Sequence, residues 1–200
     1  MTTARNLTLL YTHNLAGDLD LLPRLNTFLA GLRGTQRPLL IDIGGYCAPD
    51  VWHCQVTGGR SMLIALDAMG YAAVNAGEVA EEERARLESL VSMALVDARY
   101  THVDGDLVFS LEPGTGDGHL CVVLTPAERT DLSGHVLRLE ALEKGQVGLV
   151  RIAIRDGYSL REAKILSVPL NVPPDPSITS VVEFITAEAR SYQRRHGGDV

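Results

Sequence analysis

The segment Leu7-Thr8-Leu9-Leu10-Tyr11-Thr12 decides the class of fold. Its apolar run hardly alternates, so a strand built from it must be covered on both faces, as strands of parallel sheets are. The residues that follow fit such a sheet. Asn14 to Asp20 reads as a loop around Gly17. Leu21, Leu22, Leu25, Phe28, Leu29 and Leu32 then recur at helical spacing, with Gly34 as the stop. Pro38 to Ile43 is a second strand closed by Gly44-Gly45, and Ser61 to Met69 is a short helix closed by Gly70. Tyr71 to Asn75 is a third strand. Glu81 to Leu95 is a helix whose acidic first turn suits the helix dipole. Three rounds of strand and helix predict an α/β sheet with right-handed crossovers.

After residue 96 the rhythm changes to strands. Leu107 to Leu111 and Leu120 to Leu124 flank a glycine-rich loop, Pro113 to Gly118, whose glycines lack the lysine and following helix of a phosphate-binding loop. Val136 to Leu142, Val147 to Arg155 and Ser159 to Val168 follow, with Gly145 and Asp156-Gly157 as hairpin turns. Pro169 to Pro176 holds four prolines and reads as an extended strap. Ser177 is placed to cap a last helix, Ile178 to Arg195. The expected organisation is one α/β domain over 1–176, a C-terminal helix over 177–195 packed on it, and a frayed tail over 196–200.

Composition removes several classes of function. The 200 residues carry 18 Lys and Arg against 25 Asp and Glu, a net charge of −7, which argues against a nucleic-acid partner. An apolar share of 46% is too high for disorder. No apolar run approaches the roughly 20 residues of a membrane span, so no membrane partner is expected. The first residues carry no apolar signal core, and three cysteines are an odd count that fits a reducing compartment. Both points predict a cytoplasmic protein.

Five short motifs, each at the end of an expected strand, stand in a telling order: Thr12-His13-Asn14-Leu15-Ala16-Gly17, Asp42-Ile43-Gly44-Gly45, Gly77-Glu78-Val79-Ala80, Leu124-Thr125-Pro126 and Asp131-Leu132-Ser133-Gly134-His135-Val136-Leu137. Val147-Gly148-Leu149-Val150 and the strap at 171–176 follow them. The series resembles the catalytic domain of the 5'-nucleotidase-type metallophosphoesterases, in the calcineurin-like phosphoesterase superfamily. The corresponding motifs there are Thr-Asn-Asp-x-His-Gly, Asp-x-Gly-Asp, Gly-Asn-His-Glu, Ser-His and Asp-x-x-x-Gly-His-x-His. The resemblance covers nearly the whole chain. It implies a layered sandwich of mixed β-sheets flanked by helices, and two metal ions that clamp a phosphate and generate the attacking hydroxide.

Most of the donor positions that this resemblance implies are empty. The first Asp is Asn14 and its His partner Ala16; the bridging Asp is Gly45; the Asn ligand is Glu78; the following His is Val79. Of the late His positions, Pro126 and Leu137 replace two, and His135 remains. Ala, Gly, Val, Pro and Leu have no lone pair to offer. The resemblance therefore implies an emptied pocket around His13, Asn14, Asp42, Gly45, Glu78 and His135, with no catalytic residue and no cofactor. A single divalent metal is the remaining option.

The expected function is accordingly a catalytically inactive, 5'-nucleotidase-like protein that binds a small molecule or a protein, regulates, or assembles, with a homo-oligomer as one form. The alternative is a phosphoesterase with a reorganised, single-metal site using His135, Glu78, Asn14 and Asp42 or His13. A third reading centres on the 46–59 loop, where Cys47, His53 and Cys54 are candidate zinc ligands, with His13 or His135 as a fourth. There Cys47 is also a candidate nucleophile beside His13 or His53. Set against these are simpler roles. Cys47 and Cys54 would be buried, unpaired thiols, Trp52 a packing residue, His135 a surface imidazole at the start of a strand, and Glu78 part of an acidic helix start. All the candidates are expected near the C-terminal ends of strands, where open α/β sheets place their crevice.

Overall fold

A computed structural model of the chain describes residues 5–33, 38–114 and 118–196. The expected helix stop at Gly34, the centre of the 113–118 loop and the tail from 197 lie outside the described residues.

Two mixed sheets stack face to face, and the helices form a third layer. The first sheet holds β1 (Arg5–Thr12), β2 (Leu39–Asp42), β3 (Ala73–Asn75), β4 (Ala94–Val96), β10 (Gln146–Ile154) and β11 (Tyr158–Ser167), in the order β11-β10-β1-β2-β3-β4. Strands β1 to β4 are parallel, and β10 pairs antiparallel to β1 from Arg5↔Ile154 to Tyr11↔Gly148. The second sheet holds β5 (His102–Asp104), β6 (Leu107–Ser110), β7 (Leu120–Ala127), β8 (Asp131–Ser133) and β9 (Val136–Glu140), in the order β5-β6-β7-β9-β8.

The helices are α1 (Leu22–Arg33), α2 (Trp52–Thr57), α3 (Arg60–Ala68), α4 (Glu81–Glu88) and α5 (Pro176–His196). Buried residues of all five, among them Leu25, Cys54, Leu63, Leu87 and Ile185, share one cluster with Leu10, Leu40, Val74 and Leu95 of the first sheet. The alternate residues Leu9, Tyr11, Ile41, Ala73 and Val96 pack with Phe109, Val122, Leu137 and Leu139 of the second sheet. The inner parts of the central strands β1 and β2 are thus buried on both faces. That is why these strands read as continuous apolar runs.

The structure differs from the sequence reading at several points. The expected 81–95 helix stops at Glu88, and its last residues become β4. Among the described side chains of that helix, Leu87 alone is fully buried, too little to anchor a longer one. The short β5 and β8 carry no apolar alternation, so nothing in their residues announces them. Helix α5 begins at Pro176 and is capped by Asp175, not Ser177: Asp175 Oδ1 accepts the N–H groups of Ser177 and Ile178 at 2.8 and 3.1 Å. Those N–H bonds, the one from Ile178 foremost, lower the Asp175 pKa. Proline at the first helical position needs no N–H partner, which suits this start. No described helix is long and apolar enough to cross a membrane.

Candidate functional site

The first three strands end level with one another: Thr12 is opposite Asp42, and Asp42 is opposite Val74. Beyond them two connecting segments run on side by side. Ile43 N–H donates to Thr12 O, Asn14 N–H to Gly44 O and Ala16 N–H to Gly45 O, each at 2.9 Å, and Gly17 N–H to Tyr46 O at 2.8 Å. This path takes Asn14 and Ala16 into the left-handed region, at φ of 55° and 53°. His13, Asn14, Asp42 and Gly45 therefore meet at one end of the sheet. Glu78 lies exposed on the loop after β3, near enough for its charge to raise the Tyr46 pKa, though burial raises it more.

Asp42 is wholly buried. Its Oδ2 accepts from Thr12 Oγ1 at 2.6 Å and its Oδ1 from Gly44 N–H at 2.9 Å; the Thr12 hydroxyl also lies 3.1 Å from the Tyr71 hydroxyl. Burial pushes the Asp42 pKa from 3.8 up to about 7, against the pull of those two donors. Beside it, Asn75 Nδ2 donates to Leu124 O at 3.0 Å, and its Oδ1 accepts from Gly77 N–H at 3.0 Å, which ties the tip of β3 to β7. Sequence reasoning singles out none of Thr12, Tyr71 and Asn75. A polar residue at the last position of an apolar strand is the one signal that marks Thr12 and Asn75. His13 Nδ1 faces the Leu142 backbone, 2.8 Å from its carbonyl and 3.1 Å from its N–H. The imidazole thereby ties the end of β1 to the segment after β9.

The donor set does not fit a metal pair. Gly45, which the sequence resemblance aligns with a bridging carboxylate, sits at φ 66°, and a Cβ added there would lie 3.1 Å from Asn14 Cα. A side chain there would start in tight contact with the Asn14 backbone. Ala16 has no donor atom, and Asp42 points inward to Thr12 and Gly44. What faces outward is an amide, Asn14, and a carboxylate, Glu78.

His135 is not part of this group, contrary to expectation. It sits in the turn between β8 and β9, where its carbonyl accepts from Cys121 N–H at 2.8 Å and its Nε2 faces Gly114 O at 3.4 Å. Leu124, which borders the site, is three residues further along β7, roughly 10 Å at the rise of a strand. The stretch around Asp131 forms an antiparallel hairpin with Gly134 at φ 61°, so it turns at the far end of the second sheet.

The 46–59 segment is not an open loop; α2 occupies its second half. Nor are its cysteines unpaired thiols: Cys47 and Cys54 form a disulfide with a Cα–Cα distance of 5.8 Å, and Cys121 alone is a free, buried thiol. Seven residues of separation place the two sulfurs within reach across the first turn of α2, which an odd cysteine count does not reveal. As a disulfide, Cys47 is no nucleophile. His53 is buried, with Nε2 2.9 Å from Gly17 O and Nδ1 2.7 Å from Ser61 Oγ. The cysteine segment therefore abuts the strand-tip site at Gly17, where an added Cβ would meet Cys54 Sγ at 2.9 Å.

No family model matches the sequence, and no curated protein matches it. Solved structures do match. The NAD nucleotidase of Haemophilus influenzae covers 100% of this chain at 10% identity with a TM-score of 0.59, and the match spans 62% of that protein's chain. The 5'-nucleotidase precursor of Thermus thermophilus covers 94% at 14% identity with a TM-score of 0.64, over 59% of its own chain. The calcineurin-like phosphoesterase YfkN of Bacillus subtilis covers 96% at 11% identity with a TM-score of 0.55. The chain thus spans about three-fifths of the two nucleotidases, and it has the fold of the calcineurin-like phosphoesterases.

Proposed function

We propose that this calcineurin-like phosphoesterase fold serves a binding or assembly role and carries no metal-dependent hydrolysis. One observation carries the proposal: the residue aligned with the bridging carboxylate is Gly45, held at φ 66°, where even a Cβ would press on Asn14 Cα at 3.1 Å. A two-metal hydrolase needs negative oxygen donors between its ions to offset their charge. Here the only buried carboxylate, among the described residues, is Asp42, and it is turned into the protein. The binding surface is the outward face of the strand tips together with the α2 segment, where Trp52 is 37% exposed. A tryptophan there offers a flat apolar contact to a small molecule or a protein. A homo-oligomer built on the same surface belongs to this proposal.

The deciding experiment has two parts: metal content of protein purified without chelator, and hydrolysis of an aryl phosphate with added manganese. With the Cys47–Cys54 disulfide kept intact, the expected result is substoichiometric metal and no turnover above buffer. Bound metal at one per chain, with turnover lost in Glu78→Gln, would establish the alternative, a phosphoesterase with a reorganised site. The fold of the neighbours supports that alternative, and the donor set argues against it.

A cytoplasmic location remains part of the proposal and has a consequence. In a reducing compartment the Cys47–Cys54 pair would stand as a dithiol.

A further inference from the structure

We propose that Cys47, Cys54 and His53 are a redox-gated zinc site, metal-free as the disulfide and zinc-binding as the dithiol. The two sulfurs and a ring nitrogen of His53 all lie within 4.8 Å of one another. The tautomer is fixed by a backbone group. Gly17 O can only accept, so His53 Nε2 carries the proton donated to it at 2.9 Å. The lone pair is then on Nδ1, the nitrogen 3.9 Å from Cys54 Sγ. An imidazole N–H held by a carbonyl, with the other nitrogen turned to the metal, is the usual arrangement around a zinc-bound histidine.

The distances suit a tetrahedral ion. Zn–S near 2.3 Å and Zn–N near 2.0–2.1 Å place a nitrogen and a sulfur about 3.6 Å apart, and two sulfurs about 3.8 Å apart. The His53–Cys54 separation must shrink by a few tenths of an ångström, the widest separation in the group by up to about 1 Å, and Ser61 Oγ must rotate off the Nδ1 lone pair. The sulfurs part once their bond is broken. At present Nδ1 accepts from Ser61 Oγ at 2.7 Å. When the metal takes the lone pair, that hydroxyl still has Thr57 Oγ1 at 3.1 Å, so no buried polar group is stranded. Cys54 and His53 are buried and Cys47 half-buried, so access is from the Cys47 side. Water fills the fourth position there.

The chemistry balances with a dithiol reductant. Its thiolate attacks Cys47 Sγ, the Cys47–Cys54 bond breaks, and Cys54 Sγ leaves as a thiolate. The second thiolate of the reductant then displaces Cys47 Sγ and closes the reductant's own disulfide. Two electrons pass to the protein, the two thiolates bind one Zn²⁺, and the two thiol protons of the reductant go to solvent.

The test compares the oxidised chain with the chain reduced by a phosphine, each equilibrated with zinc and freed of excess by gel filtration. The expected result is one zinc per reduced chain and none above background in the oxidised chain. Cobalt in place of zinc should add a thiolate-to-metal charge-transfer band, and the fluorescence of Trp52, whose ring lies 5.7 Å from that of His53, should follow the titration. Cys47→Ser should weaken binding at least about tenfold, while Cys121→Ser leaves it unchanged. Circular dichroism confirms that each variant is folded. No zinc on the reduced chain overturns the proposal, as does full zinc binding by the oxidised chain or by Cys47→Ser. None of these readouts depends on the aryl phosphate assay, so the two proposals stand or fall separately.

Discussion

Replacing Asp42 by Asn should remove most of the pH dependence of stability in this protein. In the unfolded chain the carboxyl ionises near 3.8; in the folded chain, near 7. Between those values the folded protein keeps a proton that the unfolded chain has released. Its contribution to stability is complete below pH 4, declines as pH rises toward 7, and is gone above it. Each pKa unit is worth about 1.4 kcal/mol, so the whole effect is about 4 kcal/mol. The substituted amide would imitate the protonated acid. Its oxygen would still accept from Gly44 N–H, its NH₂ would donate to Thr12 Oγ1, and the Thr12 hydroxyl would turn to Tyr71. Urea denaturation followed by circular dichroism, from pH 4 to pH 8.5, is the assay. Wild type and Asp42→Asn should coincide near pH 4, and the variant should be more stable by about 4 kcal/mol at pH 8. Parallel curves, or a variant weaker than wild type at pH 8, would refute the reasoning.

Three further outcomes follow from other sites. Gly148→Ala would drive a Cβ into the Tyr11 ring that lies across it between β10 and β1, so the urea midpoint should fall by the equivalent of about 1–3 kcal/mol. Gly45→Asp returns a carboxylate to the strand tips, but at a left-handed φ and against Asn14 Cα. We expect a loss of about 1–2 kcal/mol in urea titrations and no gain of manganese-dependent aryl phosphate hydrolysis. Reducing the disulfide in the absence of metal reopens a loop of seven residues' separation and should cost about 2 kcal/mol, while the same reductant leaves a Cys47→Ser, Cys54→Ser double variant unmoved.

The first half of the fold is legible because its strands are buried on both faces and its glycines fall at the turns. Leu9, Leu10 and Ile41 leave no other assignment. The order of motifs then points to the phosphoesterase sandwich. Legibility fails where structure depends on distant partners. Residues 94–96 look helical alone and become β4 only because β3 offers an open edge. His135 takes its expected place from a short motif, and such a motif cannot say which end of a strand it occupies; the register of β7 against β9 does. The strand-tip residues His13, Asn14, Asp42 and Gly45 do gather. What their spacing cannot convey is that Asp42 turns inward, or that the Asn14 backbone presses on Gly45. The disulfide escapes a reading that infers compartment from a cysteine count, because pairing depends on how α2 folds.

The position of β1 between β2 and β10 shapes how a ribosome delivers this protein. The first strand is made well before its antiparallel neighbour, which ends at Ile154. At roughly 5–20 residues per second, one flank of the nascent strand stays open for on the order of 10 s. Through that interval Leu9 and Tyr11 have neither β10 beside them nor β9 above them. A chain halted before residue 146 would keep that flank bare, a natural handle for chaperones and for quality-control proteases.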